Sequence, residues 1–317
     1  MSLRLNSKSF RICVIGPGVV GQATGKGLHQ KGFKVSFWGR GEEKVIALKN
    51  EGFPAYTLAE MQELPYNYDI SMFTVSTPTV AGQVDLLPLK DAAIELGKKL
   101  KRLSGYHLIV VKSTVPPGTT ENLVIPLIEK YSVKKVGRDF GACMNPEFLR
   151  EKSAFEDFVN SRLVLIGEHD QKSGELLKRL YEPFNFPVVR VTIKEAEIQK
   201  YVHNLFNAVK ISFFNEMRRA CAKIGADADI IFPTVALSSE GLWNPTYGLK
   251  NLGPFEGMCL PKDTEAFLAW AEENDLDVPI LKAAVGLNDS LKIKTVLKPL
   301  PVANGEVDTI AAPEYAV

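Results

Sequence analysis

Apolar positions follow two rhythms along this chain. Short, mostly apolar runs at Phe10–Ile15, Val35–Trp38, Asp69–Val75, His107–Val111, Phe140–Met144, Leu163–Ile166 and Val188–Val191 read as strands buried on both faces. Between them, apolar residues recur at helical spacing up to Gln30, over Leu86–Leu103, from Glu121, and over Ser173–Leu180. Such alternation predicts an α/β fold with a doubly wound parallel sheet and ligands at the carboxyl ends of its strands. From about Ile193 the character changes. Glu195–Ile224 is a long helical pattern without glycine or proline, and Lys262–Glu273 and Val278–Leu297 repeat the helical spacing. The expected organisation is therefore a nucleotide-binding domain over 1–192, a mainly α-helical domain over 193–290, and an extended tail over 291–317. In that tail Pro299, Pro301, Gly305 and Pro313 interrupt any regular pattern.

Composition narrows the class. At 317 residues, with 45% apolar and 24% charged side chains, the chain is long enough for two domains and ordinary for a globular enzyme. A net charge of +1 without long single-sign runs gives no reason to expect a nucleic-acid partner. Met1–Arg11 lacks the apolar segment of a secretory leader, and no stretch is long enough to span a bilayer. A cytoplasmic protein without membrane partners is the expectation. The four cysteines, Cys13, Cys143, Cys221 and Cys259, are far apart with no CxxC pair, which disfavours a disulfide framework or a zinc site, and no metal is expected. Cys13, Cys143 and Cys221 read as packing residues.

The chemistry begins after the first strand. Gly16-Pro17-Gly18-Val19-Val20-Gly21 sits between a strand and a helix, with a second strand following within about 30 residues, the context of a dinucleotide-binding fingerprint. Gly16 allows the tight turn, Gly18 lets backbone approach a pyrophosphate, and Gly21 lets helix and strand pack closely. The fold is thus expected to be Rossmann-like. The acidic residue that would hold the adenosine ribose of NAD is missing, since the second strand ends Trp38-Gly39-Arg40-Gly41. Arg40 can face the 2′-phosphate of NADP, stack on adenine, or simply lie exposed. Further on, Lys200 and Asn204 are four apart and share a helix face, where they can steady developing negative charge; the alternative is a solvated lysine. His203, off that face, reads as structural or surface rather than catalytic. Cys259 lies just before a helix led by Pro261, at an N-terminus that favours an anion such as a thiolate. Its other reading is a small packing residue.

Five stretches together resemble the UDP-glucose/GDP-mannose dehydrogenases: the glycine fingerprint; Ser113-Thr114-Val115-Pro116-Pro117-Gly118-Thr119-Thr120; Asn145-Pro146-Glu147-Phe148-Leu149-Arg150-Glu151; the helix with Lys200 and Asn204; and Cys259-Leu260-Pro261-Lys262-Asp263. The resemblance implies an NAD(P)-dependent dehydrogenase that oxidises the C6 alcohol of a nucleotide-sugar to a carboxylate, in two hydride transfers through a Cys259 thiohemiacetal and thioester. It implies that Lys200 and Asn204 stabilise oxyanions, that Asp263 and Glu147 handle water, and that Thr114 lies by cofactor and reacting centre. Val19, Lys44, Thr77, Glu151 and Lys262 join Gly16, Gly18, Gly21, Gly39, Arg40 and Thr114 as implied cofactor contacts. Phe148, Leu149, Glu151, Tyr247, Gly253 and Gly257 join Lys200 and Asn204 on the implied sugar side. A homodimer built on Glu195–Ala222 of the long helix together with Val278–Leu297 is also implied.

Three departures from the family pattern stand out. Gly39 replaces the ribose aspartate, so the cofactor is expected to be NAD or NADP, with Gly39-Arg40 favouring NADP. Phe255-Glu256-Gly257-Met258-Cys259 adds a carboxylate and a thioether beside the expected sugar pocket. The family's third, nucleotide-gripping domain is not expected within the 317 residues, so an open pocket with weak affinity for UDP-glucose is expected. Two other functions compete: a two-electron 3-hydroxyacid-type dehydrogenase, for which Cys259 is needless, and a non-catalytic cofactor-binding regulator.

Overall fold

A computed structural model of the chain describes residues 10–249 and 253–294, with backbone alone at 293 and 294. The chain divides into two compact units, Met1–Asn204 and Leu205–Val317.

The first unit runs β1 (Arg11–Ile15), α1 (Val19–Gln30), β2 (Lys34–Gly39), α2 (Glu42–Asn50), β3 (Ala55–Thr57), α3 (Leu58–Glu63) and β4 (Ile70–Phe73). A small hairpin of β5 (Thr79–Val80) and β6 (Gln83–Val84) precedes α4 (Leu87–Leu100) and β7 (His107–Val111). A wide helical turn at Thr120–Val124 opens α5 (Ile125–Ser132), followed by β8 (Phe140–Met144), α6 (Ala154–Val159), β9 (Val164–Glu168), α7 (Gln171–Tyr181) and β10 (Val188–Thr192). The chain then enters α8 (Ile193–Lys223).

The main sheet has the order β10-β9-β8-β7-β4-β1-β2-β3. Its six strands from β3 to β8, counted in chain order, form the 3-2-1-4-5-6 pattern of a doubly wound nucleotide fold, with the switch point between β1 and β4. These six pair in parallel, as expected. The last two do not follow: β9 pairs antiparallel with β8, and β10 runs with β9, so the sheet is mixed rather than wholly parallel. Between β8 and β9 the only α-helix is α6, which packs against α1. The connection leaves β9 beginning beside the carboxyl end of β8, with Met144 opposite Gly167, so the two strands run in opposite directions. Successive residues of β1 enter opposite cores: Ile12 and Val14 join Leu28, Phe37 and Phe158 on one face, while Cys13 and Ile15 join Leu89, Leu96 and Ile109 on the other. Burial on both faces explains why these strands read as unbroken apolar runs.

The second unit comprises the rest of α8, α9 (Ala228–Ser238), α10 (Glu240–Trp243), α11 (Leu260–Glu273) and α12 (Pro279–Lys294). Its core cluster is small: Ala220, Ala271, Leu276 and Val278, with Phe267, Leu268, Trp270 and Leu281 packed on it. The buried Glu216 carboxylate accepts from the amides of Ile280 (2.8 Å) and Leu281 (3.1 Å) and so fixes the start of α12. Residues 291–294, expected in the tail, belong to α12; the rest of the expected tail lies outside the described residues. The division between units falls about three turns later than the expected 192/193 boundary. Ile193, Ala196, Glu197 and Lys200 form a buried i, i+3, i+4, i+7 stripe, which ties the start of α8 to the first unit.

Candidate active site

The glycine fingerprint forms a backbone cradle at the carboxyl ends of β1 and β4. Gly16 has φ +104°, and a Cβ there would lie 2.7 Å from the Val75 amide nitrogen. A Cβ on Gly21 would meet the Gly16 carbonyl oxygen at 2.2 Å, so both positions admit only glycine. Thr74 Oγ1 donates to that carbonyl at 2.7 Å. Gly18 is the N-cap of α1 without a side-chain cap, and a Cβ on it would meet nothing within 4 Å. It borders a cavity of about 480 Å³ lined also by Gly16, Pro17, Gly39, Arg40 and Ser76. An uncapped helix N-terminus facing such a cavity suits a pyrophosphate, so the residues present fit a dinucleotide. Val19, in the first turn of α1, is half exposed.

The end of β2 explains the missing aspartate. A Cβ on Gly39 would lie 2.6 Å from Pro17 Cδ: the proline ring of the fingerprint fills the slot of the side chain. Arg40 is exposed at the same cavity, 3.6 Å from the Asp91 carboxylate of α4. Glu42, Glu43 and Glu95 line it too, with Lys44 as its second cation.

The loops after β4, β7 and β8 are tied together. Thr77 Oγ1 donates to the Thr114 carbonyl (2.7 Å), and Ser113 Oγ to that of Val75 (2.6 Å). From α8, the fully buried Glu197 carboxylate accepts from the amides of Gly118 and Thr120, fixing the turn after Thr114. One turn on, Lys200 is 4% exposed and donates to the Glu147 carbonyl (2.6 Å), with its ammonium 3.0 Å from Glu147 Oε1. Glu147 Oε2 accepts from the Leu149 amide at 2.6 Å. Phe148 lies against His203, ring centroids 5.0 Å apart, and under the Lys200 ammonium at 5.6 Å. His203 therefore packs, as expected, and its pKa is held down by partial burial and by Lys200. Asn204 and Glu151 are exposed.

In the second unit Cys259 is the N-cap of α11, exposed, with its carbonyl accepting from the Asp263 amide at 2.9 Å. Leu260 takes the first helical position and Pro261 the second, one place later than expected. Lys262 and Asp263 pair with each other at 2.6 Å on an exposed face. Gly257, with φ +92°, turns the chain into the cysteine. The loop is pinned by Asn288 of α12, which is buried: its Oδ1 accepts from the Phe255 amide (2.6 Å) and its Nδ2 donates to the Phe255 carbonyl (3.2 Å). Tyr247 and Gly253 are exposed, and the expected sugar loop between them includes 250–252, which lie outside the described residues.

The first unit thus brings together Gly16, Gly18 and Gly21 in one cradle, and Lys200, Glu147 and Phe148 in another cluster. Cys259, Lys262 and Asp263 share the start of α11. Asp91, Glu197 and Asn288 were not among the expected residues. The helical stripe through Lys200 contains Glu197 and offered a signal; Asp91 and Asn288 join these loops only through the tertiary fold.

Residues 10–185 match the UDP-glucose/GDP-mannose dehydrogenase family, NAD binding domain, and residues 194–290 its central domain. The chain is 38% identical over 223 residues to GDP-mannose 6-dehydrogenase of Pseudomonas syringae pv. tomato, covering 70% of this chain and about half (51%) of that one. It is 35% identical over 314 residues to UDP-glucose 6-dehydrogenase of Bacillus subtilis, covering 92% of this chain and 66% of the relative. A crystal structure of a ternary complex of GDP-mannose dehydrogenase from Pseudomonas aeruginosa superposes with a TM-score of 0.83 at 31% identity, over 90% of this chain and 69% of that one. With both domains of the family matched in chain order, the chain belongs to the UDP-glucose/GDP-mannose dehydrogenase family.

Proposed function

We propose that this protein oxidises the primary alcohol of a nucleotide-linked sugar to a carboxylate in two steps, with NAD. The observation that carries the reading is the buried Lys200 ammonium, held by Glu147 in the unit that bears the dinucleotide cradle. NAD, when bound, supplies the hydride acceptor, one equivalent for each oxidation. Lys200, with Asn204 one turn further, stabilises the alkoxide of the alcohol and the oxyanion of the later adducts. Cys259 Sγ adds to the aldehyde carbon and gives a thiohemiacetal; loss of a second hydride and the hydroxyl proton leaves the thioester. Glu147 or Asp263 takes a proton from water as it attacks that thioester, releasing the acid and the Cys259 thiol.

Cofactor choice follows from the crevice. Arg40 was expected to welcome a 2′-phosphate, but Asp91 partners it, and Glu42, Glu43 and Glu95 add negative charge along the same cavity. These carboxylates weigh against NADP, and NAD is the proposed cofactor. A homodimer is proposed on the exposed apolar residues Val202, Leu205, Phe206 and Val209 of α8. Light scattering in solution would report a monomer if that surface serves another purpose.

A panel of nucleotide-sugars mixed with the full chain and NAD, followed at the nicotinamide absorbance, tests the activity. Reduction with at least one sugar is expected; none with any member of the panel would overturn the reading.

A further inference from the structure

Lys112, the residue after β7, is 3% exposed and forms no ion pair among the described residues. Its ammonium donates to Asn145 Oδ1 (2.8 Å), to the Asn145 carbonyl (3.2 Å) and, at 3.5 Å, to the Tyr181 hydroxyl. Asn145 is in turn tied to three further elements. Its Oδ1 also accepts from Tyr181 (2.6 Å), its Nδ2 donates to the Leu165 carbonyl (2.7 Å), and its amide donates to the Val111 carbonyl (2.8 Å). Two residues later Glu147 receives Lys200 on both its carbonyl and its carboxylate. The tripeptide Asn145-Pro146-Glu147 is therefore gripped by two ammonium groups, Lys112 from the sheet and Lys200 from α8, with one carboxylate between them.

Burying a lysine without a counter-ion is costly and is retained only where its donors do something an apolar residue cannot. A methionine of similar length would fill the same space without that cost. What Lys112 adds is three directed bonds, two of them to the residue that begins the tripeptide. Proline at 146 limits the backbone freedom between the two grips, so fixing Asn145 fixes the carbonyl and side chain of Glu147.

We propose that Lys112 is a positioning residue for the reaction, holding Asn145-Pro146-Glu147 so that the Glu147 carboxylate stays against the Lys200 ammonium. This rests on the oxidation proposed above. The groups facing Lys112 are Asn145 from the end of β8, Tyr181 from α7, and, further away, Glu147 and Lys200, with His203 beyond Lys200. Burial pushes the Lys112 ammonium down to about 8; Glu147 opposes that shift and Lys200 adds to it. Its charge thus changes within a range open to kinetic measurement.

The test compares the full chain with Lys112→Met and Lys112→Arg. For Lys112→Met the expectation is a fall in kcat of roughly tenfold or more, a KM for NAD within about twofold of the parent, and an alkaline limb of the pH–rate profile displaced by more than half a unit. A role in folding alone would leave that limb in place. Arginine keeps charge and donors, so Lys112→Arg recovers part of the loss. An unchanged kcat and pH profile in Lys112→Met would overturn the proposal. A crystal structure of the methionine variant decides it independently of activity: Glu147 moved more than 4 Å from Lys200 supports it, and a retained contact near 3 Å overturns it. If the parent chain oxidises no nucleotide-sugar, the functional reading fails, while the geometry of the variant still settles what Lys112 holds.

Discussion

The glycine cradle and the Cys259 loop are two sites held in different ways. At the cradle the backbone itself is the site: Gly16 and Gly21 lie so close to neighbouring main chain that a single methyl group would collide, and two cores clamp β1 from either face. At Cys259 the site is one exposed side chain at a helix start, and the loop leading to it is pinned by the amide of Asn288. A site made of backbone contact tolerates almost no substitution and leaves a spacing pattern in the sequence. A site made of a side chain on a loop leaves only the residue type.

The sharpest way to break the contrast is Gly21→Ala. Overpacking against main chain costs about 1–3 kcal/mol, so NAD affinity in a fluorescence titration should weaken by roughly 10- to 100-fold. Retained affinity would show that the cradle yields as easily as a loop.

Acid offers a second test within the first unit. His107 is fully buried, with its Nε2 2.7 Å from Ser71 Oγ and its Nδ1 3.0 Å from the Tyr68 carbonyl, and burial pushes its pKa down to about 4. Because the folded pKa lies below the unfolded value of about 6.5, the unfolded chain binds the proton first as pH falls, so stability is lost between about 6.5 and 4. Urea unfolding should therefore give about 2 kcal/mol less stability at pH 5 than at pH 7 from this group. The His107→Gln variant should lose correspondingly less; an equal loss would assign the effect elsewhere.

For the second unit, Asn288→Ala should lower turnover by about tenfold while leaving NAD affinity unchanged, since a loop displaced by about 1 Å misaligns Cys259 while every contact within the cradle is kept. A matching loss of NAD affinity would show that the two sites are not held separately. The smallest effect belongs to the cavity rim. Arg40 and Asp91 are both well exposed, and Asp91→Asn should improve kcat/KM with NADP over NAD by no more than about fivefold. A change toward NAD would mean that Asp91 does not oppose the 2′-phosphate.

What the sequence disclosed follows the same division. The main strands and most of the longer helices were legible because burial on both faces and helical periodicity repeat along the chain. Others were not: β3, the β5–β6 hairpin, α3 and α6 carry too few residues for a period to show, α2 buries only Val45 and Leu48, and α9 holds Pro233 within a run of apolar residues that marks no single face. The reversed β9 was missed because strand direction depends on where a connection runs. Pro17 and Gly39 are separated in sequence, and only the fold shows that the ring of one occupies the side-chain space of the other. Lys200 was legible by spacing, but its contact with Glu147 was not, since that pairing joins α8 to the loop after β8. Cys259 was assigned a reaction by family resemblance; its place at the start of α11 is what physical reasoning contributed.

A two-step oxidation through Cys259 is tested most directly by counting reduced nicotinamide per mole of substrate consumed while the product is identified by carbon-13 NMR of the labelled C6 position. The parent chain is expected to give two equivalents and a carboxylate, and Cys259→Ala no carboxylate, with turnover halted at or before the aldehyde. One equivalent with a stable aldehyde in the parent, or a carboxylate formed at the parental rate by Cys259→Ala, would contradict it.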